Sequence, residues 1–181
     1  MREIELKFKV DNLEDVIKTL EENACKISAS IYQNDTIYVK DLLDVESKAG
    51  SVWLRVRKTN DTVELNCKKQ AKQKMESEEI EFEVSSEEKA NAFLSAIGFK
   101  KWVTVTKERR YTKYKDCNVC IDQVKDLGNF VELEFLIQDE NDINYEEELL
   151  SIAKKLHIDI TNRVNSHYDT MIYEKKNHLE E

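Results

Sequence analysis

Glu3-Ile4-Glu5-Leu6-Lys7-Phe8 opens the chain, and its cadence returns twice, as Glu79-Ile80-Glu81-Phe82-Glu83-Val84 and as Val131-Glu132-Leu133-Glu134-Phe135. Each phrase alternates charged and apolar side chains. That is the period of a strand, in which residues i and i+2 share a face. Each phrase therefore sets a pair of carboxylates on one face and Ile, Leu, Phe or Val on the other. One such strand is ordinary. Three of them, each followed by a helical pattern, predict a sheet whose polar face has a chemical role.

Outward from these phrases the chain reads as regular structure. Asn12 can cap a helix with Leu13, Val16, Ile17 and Leu20 at helical spacing. Extended segments follow near 26–40. A strand over 51–58 sets Trp53, Arg55 and Arg57 opposite Val52, Leu54 and Val56, and Asn60-Asp61 marks a turn. The strand near 62–69 sets Glu64, Asn66 and Lys68 opposite Val63, Leu65 and Cys67, and the polar stretch 70–78 reads as a mobile connection. Ser85-x-x-Glu88 reads as a capping box, Ala90, Phe93, Leu94 and Ile97 form an apolar stripe, and Gly98 suits the helix end. Extended segments near 101–115 and 117–124 lead through Asp126-Leu127-Gly128-Asn129 into the third glutamate strand. Helices near 144–157, with Leu149, Ile152, Ala153 and Leu156, and near 166–176, capped by Asn165 or Ser166, complete the chain. Eight strands in sequential, often hairpin-linked order predict a mainly antiparallel α+β fold with helices outside. No linker interrupts residues 1–181, so one domain is expected.

The 181 residues are 40% hydrophobic and 36% charged, with a net charge of −9. This balance argues against nonspecific nucleic-acid or anionic-membrane binding. No apolar run reaches the roughly 18 residues of a spanning helix, and the charged N-terminus lacks a signal-peptide core, so a cytoplasmic protein is expected. Of the four cysteines, Cys117 and Cys120 form a lone C-x-x-C. A zinc site would need a second pair or suitably spaced histidines, and His157, His167 and His178 do not supply them. Reduced, buried or half-buried thiols are expected. With three glycines in the chain there is no Gly-rich phosphate loop, so any phosphate must be held by side chains.

The plain meaning of such alternation is an antiparallel sheet with one solvated face. Here, however, the signs are segregated. Acidic pairs lie at 3/5, 79/81 and 132/134, and basic pairs at 55/57 and 107/109, with Lys7 and Lys68 beside them. If helices cover the apolar face and the sheet curls, the charged face becomes the inside of a barrel, and an eight-stranded barrel leaves room for a small ligand. Solvated face and charged lumen are the two alternatives. In a lumen, arginine and lysine suit phosphate oxygens. Carboxylates about 6.6–7 Å apart on one strand suit a hard divalent cation shared with phosphates.

Glu3-x-Glu5-x-Lys7 at the N-terminus resembles the E-x-E-x-K signature of the CYTH superfamily, the triphosphate tunnel metalloenzymes. The resemblance continues in order through Leu54-Arg55-Val56-Arg57, Leu65-Asn66-Cys67-Lys68, Glu79-Ile80-Glu81, Lys107-Glu108-Arg109 and Leu127-Gly128-Asn129-Phe130-Val131-Glu132-Leu133-Glu134, covering about residues 1–175. Ile121-Asp122-Gln123-Val124 with the last run is most similar to the class IV adenylyl cyclase branch. The resemblance implies a closed or nearly closed, eight-stranded antiparallel tunnel barrel and a divalent metal, Mg²⁺ or Mn²⁺. It implies Glu3, Glu5, Glu132, Glu134 and Asp122 on the metal, and Lys7, Arg55, Arg57, Lys68, Lys107 and Arg109 on the triphosphate. Lys7, Glu79 and Glu81 would be catalytic. Two departures stand out. Ser77 occupies a position where the family often has arginine, with Lys72 or Lys74 as substitutes, and Gln33, Asp35 and Tyr38 match a Gln-x-Asp-x-x-Tyr pattern loosely. The implied activity is adenylyl cyclase on ATP. The alternatives are a triphosphatase on inorganic triphosphate, thiamine triphosphate or nucleotides, and a non-catalytic binding module. The expected partner is the small-molecule triphosphate, without nucleic acid or membrane; a homodimer is admitted.

Overall fold

The computed structural model describes residues 2–41, 52–70, 76–137 and 144–177. Their order is β1 (Arg2–Val10), α1 (Leu13–Glu22), β2 (Ile31–Val39), β3 (Val52–Thr59), β4 (Thr62–Gln70), β5 (Glu76–Glu83), α2 (Glu87–Ala96), β6 (Lys100–Tyr114), β7 (Cys117–Val124), β8 (Gly128–Ile137), α3 (Tyr145–Lys155), β9 (Arg163–Val164) and α4 (Tyr168–Asn177). The fold is α+β, with an antiparallel sheet of nine strands among the described residues. The ninth, β9, is two residues long, too short to register as a sequence period. Lys72 and Lys74 lie outside the described residues.

The chain divides into two compact units that interleave in sequence: Met1–Ile31 with Glu108–Asn165, and Tyr32–Lys107 with Ser166–Glu181. In the first unit the strands run β6-β7-β8-β1-β9. The β1–β8 register sets Glu5 opposite Glu134 and Lys7 opposite Glu132. The β7–β8 register sets Asn118 opposite Glu134 and Cys120 opposite Glu132. The alternate residues Ile4, Leu6, Phe8, Val131 and Leu133 are buried on the other face, and α3 packs on β1 and β8 with Leu149, Ile152 and Ala153 buried. Each large side chain so covered contributes roughly 1.5–3 kcal/mol, which is what fixes the pairing register: a one-residue slip would exchange the ionic and apolar faces.

In the second unit the order is β5-β4-β3-β2-β6. Tyr38, Val56, Ala90 and Leu94 form its core, with Leu54, Val63, Leu65, Val84 and Phe99 packed against them. The opposite alternation carries the charges, with Asp35 opposite Arg57, Arg55 opposite Asn66 and Lys68 opposite Glu79. The α2 cap is Ser86 rather than the Ser85 of the expected capping box. The Ser86 Oγ accepts from the Lys89 N–H at 3.2 Å. The backbone N–H of Val84 still bonds to the Val63 carbonyl at 2.8 Å, so backbone pairing with β4 continues one residue past β5.

Candidate functional site

In the first unit, the charged alternations of β1, β6, β7 and β8 meet in a buried ionic cluster. Lys7 Nζ lies 3.3 Å from Glu5 Oε1 and 3.3 Å from Glu132 Oε1. The other oxygen of Glu132 accepts from Arg109 Nη2. The same guanidinium grips Asp122 with two donors, Nε to Oδ1 at 2.6 Å and Nη2 to Oδ2. Asp122 is fully buried, and Lys7, Arg109 and Glu132 are each under a tenth exposed. Such burial alone would discharge a lysine. The neighbouring Glu5 and Glu132 charges outweigh it and hold the Lys7 pKa above its ordinary value. Arg109 behaves the same way: burial disfavours its charge, and Asp122 and Glu132 more than restore it.

Glu134 completes this cluster from the other side. Burial first, then the Glu5 charge, raises its pKa, against hydrogen bonds from Glu3 and Asn118 that lower it. A carboxyl pushed up in pKa by burial and a neighbouring negative charge retains its proton more readily. Cys120 is buried beside these groups, and its thiol is pushed up to about 12, by burial foremost. All four cysteines are free thiols, as expected of them.

The second unit shows the reverse bias. Arg57 donates from Nε and Nη2 to the two oxygens of buried Asp35, at 2.8 and 2.7 Å. Arg55 stands 3.9 Å from Asp35 and 3.8 Å from Glu79, and Lys68 pairs with Glu79 at 2.7 Å. Asn66, also buried, donates to Glu79 at 2.9 Å. Lys107 is buried too. It lies near enough to lower the Asp35 pKa, and its ammonium sits 5.2 Å from the Tyr168 ring centroid. Burial works against ionisation of Asp35, but Arg57, then Arg55 and Lys107, hold its pKa well below the usual carboxylate range. Glu79 is likewise opposed by burial and held near about 2 by Lys68 and Arg55.

Two carboxylates are thus surrounded by four cations here, whereas in the first unit two cations are surrounded by carboxylates. Of the residues expected to act, Glu5, Lys7, Arg109, Asp122, Glu132 and Glu134 come together with Glu3 in one cluster, and Arg55, Arg57, Lys68, Glu79 and Lys107 in the other. Glu81 shares the face of Glu79 but is exposed. Asp35 was only part of a loose sequence pattern. It is nonetheless the centre of the second cluster. The available signal was an aspartate two residues after Gln33 in the extended segment near 26–40. Arg110 belongs elsewhere: with Glu14, Glu108, Gln123 and Asn129 it lines a recess of about 220 Å³ beside α1, on the opposite alternation from Arg109.

The donors of the first unit fit a hard divalent cation, since they are carboxylate oxygens. Among the described residues, no three His, Cys, Asp or Glu side chains are already gathered for one metal ion. In this cluster Lys7 and Arg109 stand between the carboxylates. No helix among the described residues is long and apolar enough to cross a membrane.

A segregated set of carboxylates and a segregated set of cations on the charged alternation of an antiparallel sheet narrow the protein to a known class. The CYTH domain model matches residues 1–168, and the chain belongs to that family. CYTH members are adenylyl cyclase-like or triphosphatase enzymes, and the triphosphate tunnel metalloenzymes among them use divalent metal ions. A Methanocaldococcus jannaschii protein named as a candidate adenylate cyclase is 30% identical over 171 residues, 93% of this chain and 97% of its own length. The structure of a conserved hypothetical protein from Pyrococcus furiosus superposes with a TM-score of 0.79 at 26% identity, covering 93% of this chain and 98% of that one. A Hippeastrum protein, named as a candidate adenylyl cyclase and described as having a dominant triphosphatase activity, shares the fold. Its TM-score is 0.61 at 14% identity, over 97% of this chain and 95% of that one.

Proposed function

We propose that this protein is a metal-dependent enzyme acting on a triphosphate, and that the reaction is conversion of ATP to cyclic AMP and pyrophosphate. The observation carrying this reading is the opposite bias of the two ionic clusters. The acid-rich cluster, with Glu3, Glu5, Asp122, Glu132 and Glu134, suits a divalent metal, and the cation-rich cluster, with Arg55, Arg57, Lys68 and Lys107, suits phosphate oxygens. Mg²⁺ or Mn²⁺, when bound, neutralises phosphate charge and stabilises the departing oxyanion. Arg55 and Arg57 offer planar, forked donors that match phosphate oxygens two at a time. Lys68 and Lys107 act as point charges. Glu79, with its pKa near about 2, is a poor proton acceptor at neutral pH. We therefore assign it to holding Lys68 and Arg55 in place rather than to proton transfer.

The named relative at 30% identity supports the cyclase. The triphosphatase reading is carried by the same clusters, because both reactions need in-line attack at a neutralised phosphorus. It gains from the triphosphatase activity described for the Hippeastrum protein of the same fold. Product identification separates the two. Cyclic AMP with pyrophosphate supports the cyclase, whereas ADP with phosphate, or consumption of only thiamine or inorganic triphosphate, supports the triphosphatase. Glu5→Gln and Glu134→Gln are expected to abolish either activity with the circular dichroism spectrum unchanged. Glu134→Gln also removes the carboxyl whose ionisation the folded state opposes, so its metal-free melting temperature at pH 7 should be unchanged or higher. Full activity in both variants would end the metal reading.

A further inference from the structure

Every oxygen of Asp122 and Glu132 described above faces a cation of the protein's own. Asp122 is gripped by both donors on one edge of Arg109, and Glu132 takes Arg109 on one oxygen and Lys7 on the other. These are the carboxylates that, on the reading under Proposed function, would bind metal. Buried carboxylates without counter-charge are costly, so a folded, metal-free protein needs cations there. Arg109 supplies one in a form that also matches phosphate. A guanidinium and a divalent ion, both cations, compete for the same carboxylate oxygens.

We infer that Arg109 is a resident counter-cation exchanged for metal: divalent metal takes Asp122 and Glu132, and the guanidinium so released becomes a phosphate donor. Metal and phosphate binding are then coupled through one side chain, each favouring the other, as linkage requires. Lys7 differs. Its ammonium bridges Glu5 and Glu132 from β1 as a compact charge, without the planar two-donor fork of arginine. Arg109 pairs with Asp122 and Glu132, and both are carboxylates that metal would take. This assigns Arg109 a positioning role in metal binding as well as a direct one on phosphate.

The inference rests on the carboxylate cluster being the metal site, and its test separates the two. Mn²⁺ binding to the full chain is measured by calorimetry, without substrate, for wild type, Arg109→Gln, Arg109→Lys and Glu5→Gln. In parallel, the Arg109 side-chain Nε–Hε signal of the wild type is followed by NMR during Mg²⁺ titration, the Arg109→Lys spectrum assigning it. With the competitor removed, Arg109→Gln should bind Mn²⁺ more tightly, by roughly tenfold or more, the equivalent of one charge-assisted hydrogen bond. Its affinity for inorganic triphosphate in the presence of metal should fall instead. In the wild type, Mg²⁺ alone should shift or broaden the Nε–Hε signal. Equal or weaker Mn²⁺ binding by Arg109→Gln, with the wild-type signal unmoved by saturating Mg²⁺, would overturn the exchange while leaving the metal site intact, provided Glu5→Gln loses Mn²⁺. No Mn²⁺ binding by the wild type would overturn both. If Arg109→Gln does not fold, the NMR titration decides alone: a moved signal supports the exchange and an unmoved one refutes it.

Discussion

Arg57 shows how much one side chain can decide. It meets Asp35 with two parallel donors at 2.8 and 2.7 Å, a geometry that lysine cannot reproduce. On the proposed reading Asp35 aims the guanidinium, and its other edge meets phosphate oxygens. Arg57→Ala should therefore weaken triphosphate binding by tenfold or more, on the order of one or two charge-assisted bonds, and leave adenosine binding nearly unchanged. Arg57→Lys should recover part of that loss. Calorimetry with both ligands checks this, and equal losses for both would mark a structural arginine. The carboxylates of the same cluster set the acid limit of the fold. Glu79 is held near about 2 against an unfolded value of 4.5, and Asp35 is lowered as well. A depressed carboxylate stabilises the fold at pH above its unfolded pKa, and this stabilisation is lost as pH falls through the folded one. Unfolding free energy from urea titrations should thus decline between about pH 4.5 and about pH 2, and Glu79→Gln should flatten that decline.

At the same scale, the residue types of the site were legible in the sequence and their partners were not. Arg109 could be read as a cation on the charged alternation, because Lys107, Arg109 and the carboxylate strands share one period. That it would pair with Asp122 and Glu132, 13 and 23 residues away, depends on strand order and register. Alternation does not contain that information. Glu81 illustrates the converse. Its face was correctly paired with that of Glu79, but exposure at that end of β5 depends on what neighbours the strand, which no local pattern records.

Helix ends carry a regularity of their own. After α1, α2 and α3 the chain turns through a left-handed residue at Ala24 (φ 60), Gly98 (φ 89) and His157 (φ 57). Each is followed by a backbone N–H closing back onto the helix: Cys25 to Leu20, Phe99 to Leu94 and Ile158 to Ala153, at 2.9–3.0 Å. This is one C-terminal motif used three times, and glycine fills the strained position only once. Gly98 was legible because glycine advertises the conformation; Ala24 and His157 do not. Ala24→Gly and His157→Gly should each stabilise the protein by about 0.5–1 kcal/mol, since an L side chain in this region is disfavoured by roughly that amount or more. Gly98→Ala should destabilise by about 1 kcal/mol even though no atom lies within 4 Å of the added methyl. Denaturant midpoints at constant slope test all three, and a stabilised Gly98→Ala would contradict the backbone explanation. The other element-level difference, the Ser86 cap, has the same character. Two adjacent serines offer the same cap in sequence, and Ser86 takes it while Val84 still pairs with Val63.

For the molecule as a whole, the α+β class and the antiparallel sheet followed from the charged–apolar alternation of β1, β3, β4, β5 and β8. The division into two units did not, because both are discontinuous in sequence and β6 passes from one to the other at Lys107–Glu108 without any break in composition. Likewise the sign segregation of the charges was legible, but not its consequence, an acid-rich cluster in one unit and a cation-rich cluster in the other. That opposite bias is the central claim, and it is tested most directly by one assay. Purified protein is incubated with ATP, thiamine triphosphate and inorganic triphosphate, each with Mg²⁺, with Mn²⁺ and with EDTA, and the products are quantified. At least one triphosphate should be consumed with added metal and none in EDTA, with ATP yielding cyclic AMP and pyrophosphate. Turnover that persists unchanged in EDTA, or no consumption of any triphosphate under any condition, would contradict it.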